Sequence, residues 1–365
     1  MRMHALRTIL VLFFMVALAG CMPWDIFGGS DDGEPEPGVE AGDAEDGDEE
    51  PEVLAPVPGS RLARLHAVKT WMYQIQDVAE EGAVEALAES GYDLIVIEPT
   101  NTNRDDAGFD SHGAVRRIKA GRPGRLVLAY IDIGEAESYR TYWKTDWRAP
   151  SKGKRGSPDF IVTADPDGWE ENYPVAYWDT RWHAVVLDLV ASALADGYDG
   201  IYMDWVEAYD DDDVIAAAEA AGVDPVKAMV NFIFHLRNTA QQTDPEFLIV
   251  AQNAPYLLDL DDRYRSAIDA VAFEDTWFRG EADADWDDAD GGDLPNEYDD
   301  EYATARLIEQ YKEYRAHGLP VFTCDYCLKA ANAQTVYAAS RAQGFVPLVT
   351  RVSLAAMSET PPPGY

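Results

Sequence analysis

Short apolar runs rich in β-branched and aromatic residues recur along residues 61–365 of this chain. There are eight of them, at 66–72, 93–98, 125–132, 199–204, 246–252, 268–274, 319–324 and 345–351. Their hydrophobicity is nearly continuous rather than alternating, which is typical of strands buried on both faces, as parallel strands are. The pattern therefore predicts eight buried parallel strands.

Amphipathic stretches separate these runs and predict helices, for example at 78–90, 181–196, 225–242, 301–316 and 333–343. Several are followed by a glycine, which is a signal for the end of a helix: Gly91, Gly197, Gly318 and Gly344. Eight β/α alternations in about 300 residues predict a (β/α)₈ TIM barrel. No G-x-G-x-x-G follows the first run, which disfavours a doubly wound dinucleotide-binding sheet.

The first twenty residues have the pattern of a signal peptide: two arginines, an apolar run and then small residues. The apolar run is too short for a membrane-spanning helix. The junction Leu-Ala-Gly-Cys that ends at Cys21 resembles the bacterial lipobox, so we predict lipidation of Cys21. An ordinary secretory signal is the alternative, and both predict export. Met22 after the cysteine favours the outer membrane if the cell is Gram-negative.

The segment 21–60 holds thirteen Asp and Glu residues and no Lys or Arg. Such a segment cannot bury enough apolar surface to offset the entropy of ordering it. We therefore predict three regions: a lipoprotein signal peptide at 1–20, a disordered acidic tether at 21–60, and the barrel at 61–365.

Acidic residues dominate the whole chain, whose formal net charge is −38. This excess excludes nucleic acid as a partner, because phosphate backbones are bound by basic surfaces. The acids are spread along the domain, so they could form a solvated surface. A cleft that attracts a cationic ligand is the other interpretation.

Two cysteines, Cys324 and Cys327, remain when Cys21 is lipidated. In an exported protein a C-x-x-C pair predicts a disulfide. A redox motif and a zinc site are the alternatives, but the first needs a helix N-terminus and the second needs two more ligands. The six histidines lack metal-ligand spacing, and neither a G-x-S-x-G elbow nor a P-loop is present. We predict no metal and no cofactor.

Acidic residues directly follow several predicted strands, at the edge where a barrel carries its active site. Asp204 ends Ile-Tyr-Met-Asp and Glu274 ends Val-Ala-Phe-Glu. Hydrolysis of a glycosidic bond needs two such carboxyl groups, one to protonate the leaving oxygen and one to attack or stabilise the anomeric carbon. We predict that Asp204 and Glu274 are catalytic. Glu98 and Asp325 are expected to be solvated or helix-capping carboxylates.

Several longer stretches together resemble one family of barrel enzymes. They are KTWMYQIQ (69–76), LAYIDIGEAESYRTYW (128–143), NYPVAYWDTRW (172–182), GYDGIYMDWVEAY (197–209), IVAQN (249–253) and AFEDTWF (272–278). This pattern is similar to glycoside hydrolase family 114, the relatives of endo-α-1,4-polygalactosaminidase. The resemblance implies that Asp204 is the nucleophile and Glu274 the acid/base of a retaining, endo-acting hydrolase of a galactosamine-containing polysaccharide.

The strand ends and the matching stretches together give the predicted substrate-binding residues. These are Trp71, Tyr73, Asp132, Glu135, Tyr177, Asn253, Asp275 and Trp277. The cysteine pair and the acid-rich loop 281–301 depart from the family pattern. A barrel that binds an envelope polysaccharide without cutting it is the alternative function.

Overall fold

The computed structural model describes residues 55–166, 168–282, 284–363 and 365. The predicted signal peptide, the lipidation site Cys21 and nearly all of the predicted tether lie outside the described residues.

Eight parallel strands in chain order form the central sheet. They are β1 (Trp71–Gln74), β2 (Leu94–Ile97), β3 (Leu126–Asp132), β4 (Gly200–Asp204), β5 (Leu248–Gln252), β6 (Ala270–Glu274), β7 (Val321–Tyr326) and β8 (Val346–Thr350). Each pairs with the next in parallel register. Strands β8 and β1 lie side by side, and the indole N–H of Trp71 donates to the Val346 carbonyl at 3.0 Å. The sheet is therefore a nearly closed barrel.

Helices lie between the strands. They are α1 (Arg61–His66), α2 (Ala83–Glu89), α3 (Ser111–Gly121), α4 (Thr180–Asp196), α5 (Asp212–Ala221), α6 (Pro225–Thr243), α7 (Leu257–Leu260), α8 (Tyr264–Ala267), α9 (Thr304–Ala316) and α10 (Ala330–Gln343). Short 3₁₀ turns follow β2 and β4, at Thr100–Thr102 and Val206–Asp210. Among the described residues, no helix is both long and apolar enough to span a bilayer.

The predicted (β/α)₈ barrel is confirmed. Strand β1 begins later than predicted, because its predicted segment 66–72 starts in the last turn of α1, which the Ser60 hydroxyl caps at the Ala63 N–H. Helices α4 and α10 do end in left-handed glycines, Gly197 and Gly344.

Three aspartates organise the amino ends of the strands. Asp93, Asp199 and Asp269 immediately precede β2, β4 and β6. Each accepts a hydrogen bond from a backbone N–H at the start of the preceding strand, from Thr70, Val127 and Ile249 respectively. The carboxylates thereby satisfy N–H groups that a strand end leaves without a ladder partner.

Each of these aspartates also has a cationic partner. Asp93 pairs with Arg122 at 2.8 Å, and Asp269 with Arg237 at 2.8 Å. Asp199 pairs with Lys119 at 2.9 Å and with Arg61 at 3.0 Å. Ion pairs thus hold the aspartates at the amino end of the barrel.

Candidate active site

Asp204 and Glu274 end β4 and β6, and both side chains are partly exposed. The residues that follow β4, β5 and β6 are Trp205, Asn253 and Asp275, with φ of 52°, 56° and 56°. A non-glycine residue in the left-handed region costs roughly 1–2 kcal/mol, and such residues concentrate at functional sites. Three strained turns therefore surround the two carboxyl groups.

Asp204 is held by two donors. Oδ2 accepts the Tyr130 hydroxyl at 2.5 Å and Oδ1 accepts the Trp205 N–H at 2.6 Å. Burial raises the pKa of Asp204, and the nearby Glu274 charge raises it further, to about 7, against the lowering effect of the two donors. The pKa of Asp204 thus lies in the range useful for proton transfer at neutral pH.

Glu274 is held by three side-chain donors. Oε1 accepts the Tyr326 hydroxyl, and Oε2 accepts the Gln252 amide and, at 3.3 Å, the Asn253 amide. The side-chain oxygen Oδ1 of Asn253 in turn accepts the backbone N–H of Glu274 at 3.0 Å. Burial raises the pKa of Glu274, while the three donors oppose the rise. These contacts fix the rotamer of Glu274 toward the mouth of the barrel.

The Tyr73 side chain contacts one hydrogen-bond donor of Asp204 and one of Glu274. The Tyr73 hydroxyl donates to the side-chain oxygen Oε1 of Gln252 at 3.4 Å, and the centroid of the Tyr73 ring lies 6.2 Å from that of Tyr130. Both Asp204 and Glu274 raise the pKa of Tyr73, after burial. The two carboxyl groups therefore share one electrostatic environment above the packed barrel interior.

Tyr130, Gln252 and Tyr326 were absent from the predicted site, although they position its acids. All three are buried: Tyr130 lies within the apolar run of β3, and Gln252 and Tyr326 end β5 and β7. Their polar atoms are the available signal, because a buried hydroxyl or amide needs a hydrogen-bond partner.

A second pair of acids lies beside Asp204. Asp132 ends β3 in register with Asp204, and its Oδ1 accepts the Gly134 and Glu135 N–H groups. Burial raises the pKa of Asp132, with the Asp204 charge second. Burial and the Asp132 charge raise the pKa of Glu135 to about 12. The pKa values of both carboxyl groups are therefore raised above their ordinary range.

Asp325 on β7 holds the turn after β6. Its Oδ1 accepts the N–H groups of Trp277 and Phe278 at 2.6 and 2.9 Å. Burial raises the pKa of Asp325 to about 7, while the two N–H donors oppose the rise. The expectation that Asp325 is a solvated or helix-capping carboxylate is wrong, because the side chain is fully buried against this turn.

Glu98 is also buried, contrary to expectation. It pairs with the buried guanidinium of Arg140 at 2.5 Å, and Arg140 also contacts Glu137 at 2.7 Å. The positive charge of Arg140 is thus shared between two carboxylates rather than offered to Asp204 or Glu274.

The predicted substrate-binding residues differ in how far they are exposed. Asn253, Asp275 and Trp277 are partly exposed at the mouth. Tyr73, Asp132 and Glu135 lie beside the acid pair but are buried.

Two of the predicted substrate contacts are wrong. Trp71 packs inside the barrel against Tyr202 and Phe322, because its side chain points inward from β1. The Tyr177 ring is buried, and its hydroxyl donates to the Pro225 carbonyl at 2.7 Å.

The predicted disulfide between Cys324 and Cys327 is wrong: both are free, buried thiols. They stand three positions apart at the end of an extended strand, so they leave the strand on opposite faces. Cys324 packs in the barrel core, and Cys327 packs against α10 residues such as Val336. In the described part of the chain, no three His, Cys, Asp or Glu side chains are grouped to hold a metal ion.

Comparison with known proteins identifies the family and the fold that this chain resembles. The profile of glycoside-hydrolase family GH114 matches residues 55–362. An uncharacterized protein of Deinococcus radiodurans is 30% identical over 305 residues, 83% of this chain and 87% of that protein.

Two solved structures share the fold. The glycoside hydrolase domain of PelA from Pseudomonas aeruginosa has a TM-score of 0.54 at 18% identity, over 79% of this chain and 96% of that one. Aspergillus fumigatus Ega3 in complex with galactosamine has a TM-score of 0.50 at 15% identity, over 79% and 92%.

Proposed function

The chain belongs to glycoside-hydrolase family GH114 and is a glycoside hydrolase, and we propose that it cuts an α-1,4-linked, galactosamine-containing polysaccharide within the polymer. One observation carries the proposal: the ends of β4 and β6 bring Asp204 and Glu274 into one electrostatic environment, each fixed by hydrogen-bond donors. Two carboxyl groups that flank a bond are what glycoside hydrolysis requires.

In the proposed retaining mechanism, Asp204 attacks the anomeric carbon while Glu274 gives its proton to the leaving glycosidic oxygen. The bond between the anomeric carbon and that oxygen breaks, and a glycosyl ester on Asp204 forms. Glu274, now ionised, takes a proton from a water molecule that attacks the same carbon and releases Asp204. The net configuration at the anomeric carbon is retained.

The roles of nucleophile and acid/base depend on how many protons Asp204 and Glu274 carry between them. The charge of Glu274 raises the pKa of Asp204 to about 7, so the two carboxyl groups titrate as a coupled pair. The first step needs an ionised Asp204 and a protonated Glu274, so the active form is the pair that carries one proton. Activity should therefore fall as the pH rises through about 7 and the pair loses this proton.

A cationic amino sugar fits the mouth electrostatically. Asp132, Glu135 and Asp275 are acids whose pKa is raised, in each case first by burial. An ammonium group nearby favours the ionised form of such acids and lowers their pKa. Binding of a cationic oligosaccharide should thus release protons, which calorimetry in buffers of different ionisation enthalpy would measure. The galactosamine in the Ega3 complex supports this class of substrate.

The central experiment assays the purified full-length protein on polygalactosamine, with Asp204→Asn as the matched control. Endo-hydrolysis by the native protein and its loss in the variant would support the proposal. Binding of the polymer without cleavage by the native protein would instead support the alternative, a polysaccharide-binding barrel.

Azide separates the two catalytic roles. With Asp204→Ala, azide should restore cleavage and give the inverted glycosyl azide, because it replaces the nucleophile. Rescue of Glu274→Ala with retained configuration would agree with Glu274 as the acid/base. The opposite pattern would reverse the two roles.

We further propose that the protein is exported and anchored through a lipid on Cys21. The signal-like residues 1–20 and the lipobox-like junction support this. Cys21→Ser should move the protein from the membrane fraction to the soluble fraction, as measured by fractionation of cells. A variant that still sediments with membranes would contradict the anchor.

A further inference from the structure

A group of five cations stands out in this acidic chain. Lys144, Arg148, Lys152, Lys154 and Arg155 all lie within the segment 144–157, which we call the basic arm, and all are exposed. Within the part of the chain that the structure describes, none of them forms an ion pair, although the sequence has 67 acids for 29 Lys and Arg. Cations that the protein leaves without carboxylate partners are available to an anionic ligand.

The basic arm has a defined shape. Arg148 and Ser157 exchange backbone hydrogen bonds of 2.7 and 2.9 Å, and Ser151 and Lys154 do the same around a two-residue turn at Lys152 and Gly153. The left-handed Gly153, with φ of 72°, permits this turn. The hairpin therefore fixes the backbone positions from which the cations project, which lowers the entropy cost of binding.

Buried aromatic rings fix the base of the arm to the barrel. Trp147 is buried and packs edge to face on Phe160, with ring centroids 5.3 Å apart. The Val162 N–H donates to the carbonyl of Pro174, in a short strand that pairs with Glu135–Glu137. The arm thus rises from the carboxyl end of the barrel, the end that carries the acid pair.

A cavity of about 270 Å³ lies between the basic arm and α5. Its lining combines cations, hydroxyls, a carboxylate and small apolar groups: Lys154, Arg155, Ser151, Thr163, Asp213 and Ala216. A phosphate bound at Lys154 and Arg155 would leave Asp213 without a donor, whereas a sugar carries hydroxyls that can donate to it. A sugar ring that carries one carboxylate satisfies all of these groups.

We propose that this cavity binds a uronic-acid unit of an anionic polysaccharide, separately from the catalytic mouth. The sugar carboxylate lies between Lys154 and Arg155, where charge-assisted hydrogen bonds are strong. Asp213 accepts hydrogen bonds from ring hydroxyls, and Ala216 contacts the apolar face of the sugar. The remaining cations of the basic arm attract neighbouring carboxylates along the polymer.

The test measures binding of an oligogalacturonate to the full-length protein by calorimetry, at low and at moderate salt. Binding should weaken as salt screens the charges. Lys154→Glu with Arg155→Glu should weaken binding about tenfold or more. Lys312→Glu, an exposed cation on α9 outside the arm, is the matched control and should leave binding unchanged.

A second variant tests the cavity rather than the charge. Ala216→Phe fills the cavity from an exposed position on α5 and removes no cation. It should abolish oligogalacturonate binding, and hydrolysis of polygalactosamine by the same preparation should be unchanged. Unchanged binding by Ala216→Phe would overturn the proposal, since it would show attraction of any polyanion by the arm.

Two further outcomes also count against the site. Absence of oligogalacturonate binding to the native protein overturns it directly. Binding to phosphatidylglycerol vesicles but not to oligogalacturonate assigns the basic arm to an anionic membrane instead. Asp204→Asn should retain oligogalacturonate binding, so failure of the proposed catalysis and failure of this site can be told apart.

Discussion

An aspartate lies at each end of strand β4, but the charges that surround the two carboxyl groups are opposite in sign. At the amino end, Asp199 has two cationic partners and accepts a backbone hydrogen bond. At the carboxyl end, Asp204 has donors but, among the described residues, no cationic partner, and Glu274 adds a like charge. The first arrangement surrounds the carboxyl group with opposite charges, whereas the second leaves a carboxyl group whose pKa is raised to about 7.

The backbone differs between the ends in the same way. Where α4 and α10 end, before β4 and β8, the left-handed residues are Gly197 and Gly344, which adopt this conformation without strain. Where β4 and β6 end, they are Trp205 and Asp275. The backbone at the amino end of the barrel is therefore unstrained, whereas the backbone at the carboxyl end is strained where it positions the acids.

The largest effect should come from Asp204→Asn. Loss of the nucleophile should lower kcat on polygalactosamine by about 10³-fold or more, since the covalent step is removed. The free energy of unfolding at pH 8 should be unchanged or higher, because the variant removes a carboxylate that lies beside the like charge of Glu274. A variant that loses stability along with activity would show that Asp204 resembles Asp199 and would break the comparison.

Asp325→Asn should alter how stability depends on pH. The pKa of Asp325 is about 7, above its ordinary value of 3.8, so the folded state retains a proton that the unfolded state releases. The stability from this group is present below about pH 4 and is lost as the pH rises to about 7. Urea denaturation between pH 4 and 8 should show a smaller loss in the variant than in the native protein, by on the order of 3 kcal/mol. Parallel curves would contradict the raised pKa.

Asp199→Asn makes the same chemical change at the opposite end of β4. It leaves Lys119 and Arg61 without their shared carboxylate, but both cations are partly exposed, so the loss should be about 2 kcal/mol rather than that of a fully buried pair. The midpoint of urea denaturation should fall while kcat per folded molecule stays constant. A fall in kcat in this variant would mean that the two ends are coupled.

Tyr130→Phe should have the smallest effect, about tenfold or less in kcat. Its hydroxyl lowers the pKa of Asp204, so removal raises that pKa and the acid pair keeps its proton to higher pH. The alkaline limb of the pH–activity profile should move upward, which a purely structural role would not produce. Tyr326→Phe is the matched variant at Glu274 and should raise the pKa of that group instead.

Most of the barrel could be predicted from the sequence because parallel strands buried on both faces are continuous apolar runs. Strands β2 to β8 lie within a few residues of their predicted positions. Helix α3, with its apolar stripe of Ala114, Val115 and Ile118, is not among the helices named from the sequence.

The two catalytic acids were predicted from the sequence, but the residues that donate hydrogen bonds to them were not. Asp204 and Glu274 are visible because an acid that interrupts an apolar run needs an explanation. The cysteine spacing was misread because a pair three residues apart suits a loop or helix, whereas β7 continues through Tyr326 and separates the two thiols.

The left-handed residues Trp205, Asn253 and Asp275 suggest a way to find active sites in other barrels. They mark the reactive edge of this barrel through backbone torsion alone, without reference to side-chain chemistry or family. An enzyme whose catalytic groups had been replaced could still keep these torsions, and a survey of barrels for non-glycine residues with positive φ just after the strands would locate the working edge of proteins with no recognisable motif.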